Sequence, residues 1–180
     1  MKKLWLIVLI CTPFLVKAQN LVQNGDFEIS GTSPQNFANW THAATYSNIA
    51  KDISPVKING QISLRLTANT SPAYITSDAI TVEPNKNYRL KFTGRIHKTA
   101  GASGTLETSE GASLKLNILI WDGNKTTPTK FQALSITSGS NETVTGTFKV
   151  PATGVTSIKL LISKNKDIAY VDDIVFEEIK

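Results

Sequence analysis

The sequence predicts an all-β domain, a two-sheet β-sandwich of jelly-roll type. Apolar residues alternate with polar ones at a period of two along most of the chain. Turn-forming residues punctuate these runs at short intervals, and no window of useful length shows a helical period. Successive side chains of a strand point to opposite faces, so each run buries one face and wets the other. Many short runs of this kind in series pack as two antiparallel sheets.

The chain opens on an address. Lys2 and Lys3 precede an apolar run from Leu4 to Val16, and Val16-Lys17-Ala18 offers small or permitted residues for signal peptidase. Residues 1–18 therefore read as a secretory signal of bacterial type, leaving Gln19 first. A membrane span needs about 20 apolar residues, so no transmembrane segment is expected. Cys11 lies inside the run behind Ile10, where a lipoprotein site wants a small residue, so plain cleavage is favoured over lipidation.

Strands are expected in order. The first covers 21–27 and the second 39–46. The third carries Ile62, Leu64 and Leu66 in alternation with Ser63, Arg65 and Thr67, and a fourth covers 73–82. The next has Tyr88, Leu90 and Phe92 alternating with Arg89, Lys91 and Thr93. Residues 99–111, rich in Gly, Ala, Ser and Thr, read as a long loop. Leu114, Leu116, Ile118 and Ile120 then alternate with Lys115, Asn117, Leu119 and Trp121. Strands follow at 130–136 and 143–150, at Ile158, Leu160 and Ile162, and at 168–178. Asn59-Gly60, Pro84-Asn85, Asp122-Gly123-Asn124 and the stretch 151–154 mark turns. No repeat or linker divides residues 19–180, which read as one domain large enough for a core.

Composition excludes several functions. The chain carries 19 Lys and Arg against 14 Asp and Glu. Removal of Lys2, Lys3 and Lys17 with the signal cuts the net charge from +5 to +2. A nucleic-acid partner, which wants a persistent basic stripe, is not expected. Cys11 is the only cysteine, so the processed chain has no disulfide, thiol nucleophile or sulfur metal site. It has two histidines and no Gly-x-Ser-x-Gly, His-Glu-x-x-His or phosphate-cradling motif, so no enzyme is expected.

Two segments near the ends of this domain stand out: Asn24-Gly25-Asp26-Phe27-Glu28 and Tyr170-Val171-Asp172-Asp173-Ile174-Val175-Phe176. Simple alternation puts Asp172 on the side of Ile174 and Phe176, and a carboxylate facing a core needs a cation or a hydrogen-bond network. The two ends could share a bound metal. The opposing reading makes Asp26 and Glu28 turn residues and leaves Asp173 solvated.

The ordered set of Leu21 to Glu28, Asn39-Trp40-Thr41, Gly60 ahead of Ile62 to Leu66, Asn87 to Phe92 and Tyr170 to Ile174 resembles carbohydrate-binding modules of families four, nine and twenty-two. The resemblance covers nearly the whole processed chain and implies the galactose-binding-like jelly roll. It also implies a structural Ca2+ site, with Asp26 and Gly60 offering backbone carbonyls, Asp172 its carboxylate and Glu28 a further ligand. An all-oxygen set from distant loops suits calcium.

Sugar binding wants an aromatic on a polar sheet face. Trp121 shares the parity of Lys115 and Asn117, opposite the Leu114 to Ile120 row. Arg89, Lys91, Arg95 and His97 face outward on their own strand, and the two groups together could line a cleft. Trp121 can equally close the core at a strand end. Trp40 reads as core, and Tyr46 and Tyr74 as loop contacts. The expectation is an exported, non-catalytic protein that binds a poly- or oligosaccharide, placed outside the cell, in the periplasm or at the cell surface. A structural or adhesive protein using the same sandwich for protein contacts is the alternative.

Overall fold

The period-two runs form strands as their pattern requires. A computed structural model describes residues 19–42, 49–53, 57–67, 73–98, 106–120 and 128–180. The strands are β1 (Trp40–Thr41), β2 (Ile49–Asp52), β3 (Ser63–Leu66), β4 (Ala73–Ser77), β5 (Ile80–Thr81), β6 (Asn87–His97), β7 (Leu114–Ile120), β8 (Thr129–Ile136), β9 (Glu142–Lys149), β10 (Ser157–Lys164) and β11 (Ile168–Glu178). One sheet runs β1-β4-β10-β7-β8, with β5 also on β10, and the other runs β2-β3-β11-β6-β9. Every pairing is antiparallel. No helix appears among the described residues, and none there is long and apolar enough to cross a membrane. The expected signal segment 1–18 lies outside the described residues.

The core lies between the sheets. From one side come Leu114, Leu116, Ile118 and Ile120 of β7 with Ile158, Leu160 and Ile162 of β10; from the other come Leu64, Leu66, Leu90, Phe92, Ala169, Val171 and Phe176. Trp40 is core as expected. Its ring packs 5.1 Å from that of Phe27, and its Nε1 donates to Asn24 O at 3.0 Å.

Several elements differ from expectation. Residues 22–26 are turns rather than a strand, with Asn24 and Phe27 in the left-handed region at φ 51° and 56°. The segment still acts as a neighbour to β11, through single bonds rather than a ladder. Leu21 N donates to Phe176 O at 2.8 Å, Ile174 N to Gly25 O at 2.9 Å and Phe176 N to Asn20 Oδ1 at 2.9 Å. Gly25 must be glycine, because a Cβ there would press into Ile174 O. Within the run 39–46 Trp40–Thr41 form β1 and 43–48 lie outside the described residues, and β2 was not anticipated. The run 73–82 breaks into β4 and β5 around Asp78, whereas β6 runs to His97, in line with the placing of Arg95 and His97 on that strand.

Asn24 knots this corner. Its amide donates to Ile29 O and Ala38 O, each at 2.9 Å, and accepts from Ile29 N at 2.8 Å. A net gain of about 1 kcal/mol per bond makes Asn24→Ala cost about 2–4 kcal/mol. Urea melts of the variant check this; a change below about 0.5 kcal/mol would remove Asn24 from the framework.

Candidate functional site

The last strand does not alternate throughout. Asp172 pairs with Thr93 but Val175 pairs with Lys91, so β11 carries one extra residue against β6. That residue forms a β-bulge, with Asp173 at φ 51°. The bulge exchanges the two faces. Beyond it Ile174 and Phe176 enter the core; before it Ala169 and Val171 do, and Tyr170 and Asp172 turn to the outer face of the five-stranded sheet. The expected placement of Asp172 beside Ile174 and Phe176 is therefore wrong. It is nonetheless the buried member of the Asp172-Asp173 pair.

Pairing register arranges the outer face in rows. One row reads Asp52, Ser63, Asp172, Thr93 and Thr143; the next reads Ala50, Arg65, Tyr170 and Arg95, and ends at Asn141. Arg95 stacks its guanidinium 4.4 Å from the centre of the Tyr170 ring and donates from Nη1 to Asn141 Oδ1 at 3.0 Å. His97 stacks on the same ring, with centroids 5.3 Å apart. These groups are screened from water: Tyr170 is 1% exposed, His97 0%, Arg95 8% and Asp52 2%. Outer faces of sandwiches are ordinarily wet, so this concentration of buried polar groups distinguishes the face.

The upper row meets the 57–62 loop. Asp172 accepts from Ser63 Oγ at 2.8 Å, Asn59 N at 3.2 Å and Asp173 N at 2.8 Å. Burial outweighs these donors and pushes its carboxyl up to about 6. Glu28 takes the other side of the loop, accepting from Gln61 N at 2.6 Å and Ile62 N at 3.2 Å. Gly60, at φ 54°, leaves room for that carboxylate where a Cβ would strike it. Glu28, Gly60 and Asp172 thus converge on one loop, whereas the Asp26 side chain is exposed. Among the described residues no three acid, histidine or cysteine side chains group as a metal site. A cation here would rely on backbone carbonyls beside two carboxylates, a donor set that calcium accepts.

The candidate ligand residues do not share one cleft. Arg95 lies on the face just described, and Arg89 lies further along it, held by Glu177 through Nε at 2.8 Å. Lys115 and Asn117 occupy the outer face of the other sheet, on the opposite side of the sandwich. Asn117 is buried and donates to Leu161 O at 3.3 Å. Tyr74 lies in strand β4 rather than a loop, 41% exposed and in register with Ser163 and Lys115. Trp121 and Tyr46 lie outside the described residues. Sequence reasoning missed Arg65, Tyr170, Asn141 and Asp52 as face residues. Arg65 showed the right parity between Leu64 and Leu66; Tyr170 was hidden by the bulge.

No protein-family profile and no characterised protein sequence matches the chain. Solved structures do. A family 16 carbohydrate-binding module matches at a TM-score of 0.60 and 18% identity, over 87% of this chain and 99% of that one. A family 4 module matches at 0.56 and 16%, over 88% and 99%. The CBM22-1 xylan-binding domain from Paenibacillus barcinonensis Xyn10C matches at 0.53 and 18%, over 84% and 90%. The fold is therefore the jelly roll of carbohydrate-binding modules.

Proposed function

We propose that this protein is exported and binds a glycan, without catalysis, on the outer face of its five-stranded sheet. The observation that carries the reading is the row Arg65, Tyr170, Arg95 and Asn141, with His97 stacked behind it. The half-buried Arg65 and the exposed Asn141 offer donors fixed in direction for sugar hydroxyls, while the Tyr170 ring, buried and stacked by Arg95 and His97, holds the row in place rather than facing the ligand. The fold it shares with carbohydrate-binding modules supports the reading, as does the xylan-binding description of one of them. Binding requires no nucleophile or metal-activated water, in keeping with the absence of catalytic motifs from the sequence.

Affinity electrophoresis through a panel of glycans tests this. Arg95→Ala and Asn141→Ala should each weaken retardation by roughly tenfold, the loss of one good contact, while Lys115→Ala on the opposite sheet leaves it unchanged. Loss of binding in Lys115→Ala alone would move the site to the other face.

We further propose a structural calcium ion at the loop that joins Glu28, Gly60 and Asp172, with Asp26 contributing through its backbone. Such an ion would stabilise the junction of the N-terminal segment and β11 by binding only the folded state. Calcium should then raise the melting temperature and a chelator lower it, and Asp172→Asn and Glu28→Gln should blunt the response. Melting of the wild type that ignores both, with no metal found by elemental analysis, contradicts the site.

A further inference from the structure

Arg65 is a cation without a counter-charge. Strand β3 fixes its base between Leu64 and Leu66, both fully buried, and its own side chain is half-buried on the outer face. Its Nε is shut off from water with no hydrogen-bond partner. Among the described residues no carboxylate pairs with its guanidinium. On one side in register stands Ala50, whose methyl group accepts nothing, and on the other stands Tyr170. Arg95 lies across the ring from it.

The acids of the same face are engaged elsewhere. Asp172 accepts three hydrogen bonds at its own end, Glu177 holds Arg89, and Asp52 has a partner of its own. The floor between Arg65 and Arg95 therefore carries two guanidinium groups around an aromatic ring. A partly desolvated guanidinium without an anion is costly, and the compensation it fits best is a carboxylate accepting two parallel N–H bonds. A neutral hydroxyl satisfies one donor and leaves the charge.

We infer that the glycan is acidic, and that Arg65 pairs with the carboxylate of a uronic acid residue. The inference rests on the proposal that this face is the sugar site. It sets the class of ligand, since acidic polymers should be selected over their uncharged counterparts of the same backbone.

The test compares polygalacturonate and alginate with their fully esterified forms, which keep the backbone and lose the charge, and includes dextran sulfate as a bare polyanion. The wild type should bind one of the uronates at least about tenfold more tightly than its ester. A folded Arg65→Gln should lose most of that preference, its affinity for the acid falling to near its affinity for the ester. Equal affinity for acid and ester, binding to neutral glycans only, or an unchanged preference in Arg65→Gln would overturn the acidic ligand and leave the sugar face standing. Dextran sulfate binding as tightly as the best uronate would overturn it in favour of unselective charge attraction. Failure to bind any glycan, charged or neutral, would overturn both readings. Should Arg65→Gln not fold, the acid-to-ester ratio of the wild type decides alone.

Discussion

One extra residue in the strand at the middle of a sheet organises this molecule. Strand β11 lies between β3 and β6, and the bulge at Asp173 lets it serve two masters. Without the bulge, a strict alternation that seats Ile174 and Phe176 in the core would drive Tyr170 and Asp172 inward beside them and turn Ala169 and Val171 out. A one-residue slip moves every side chain to the other face, so the ring and the carboxylate of the outer face depend on it. The pairing with β3 spans Ala169 to Val171 and stops before the bulge. Beyond it the N-terminal segment occupies the vacated side through Asn20, Leu21 and Gly25. The two ends of the domain thus meet because one strand changes faces.

The energetics of the outer face follow from that exchange. Burying charged and polar groups on a sheet surface is unfavourable unless each is satisfied. Asp172 is satisfied locally, and its raised proton affinity shows that burial still outweighs its donors. Arg95 is held by the Tyr170 ring and by Asn141, which accepts from its Nη1. Arg65 is not, and the residues beside it in the row have no acceptor to give in the case of Ala50 and a π-face in the case of Tyr170. The framework beneath is apolar and closely packed, from Leu64 and Leu66 to Phe92, so these groups are held on a rigid base. That is the arrangement expected of a preorganised site rather than of a solvated surface.

Much of the fold was legible in the sequence, and the reasons are specific. Leu114 to Ile120 and Ile158 to Ile162 keep an apolar residue at every second position, and both are strands at the expected place. Glu28, Gly60 and Asp172 were grouped on a resemblance, and they do converge on one loop. Asp172 earned its place for the wrong reason, because an Asp-Asp pair gives no local sign of which residue will take φ 51°. The first segment looked like a strand because Leu21, Val22 and Phe27 are apolar, yet the Asn24 amide and Gly25 impose turns on it. Arg89, Arg95, Lys115 and Asn117 were each correctly seen as facing outward from the core. Which of the two outer faces each occupied depends on the strand order, and parity within a strand carries no information about that. Arg65 and Tyr170 become neighbours only through the β3–β11 pairing, more than a hundred residues apart in sequence.

The central claim is that the outer face of the five-stranded sheet receives the ligand. The most direct measurement is amide chemical-shift mapping by NMR during titration with an oligogalacturonide. The account predicts that perturbations centre on Arg65, Tyr170, Arg95 and Asn141 and spare β7 and β10. Perturbations confined to Tyr74, Lys115 and Ser163 on the opposite sheet would contradict it.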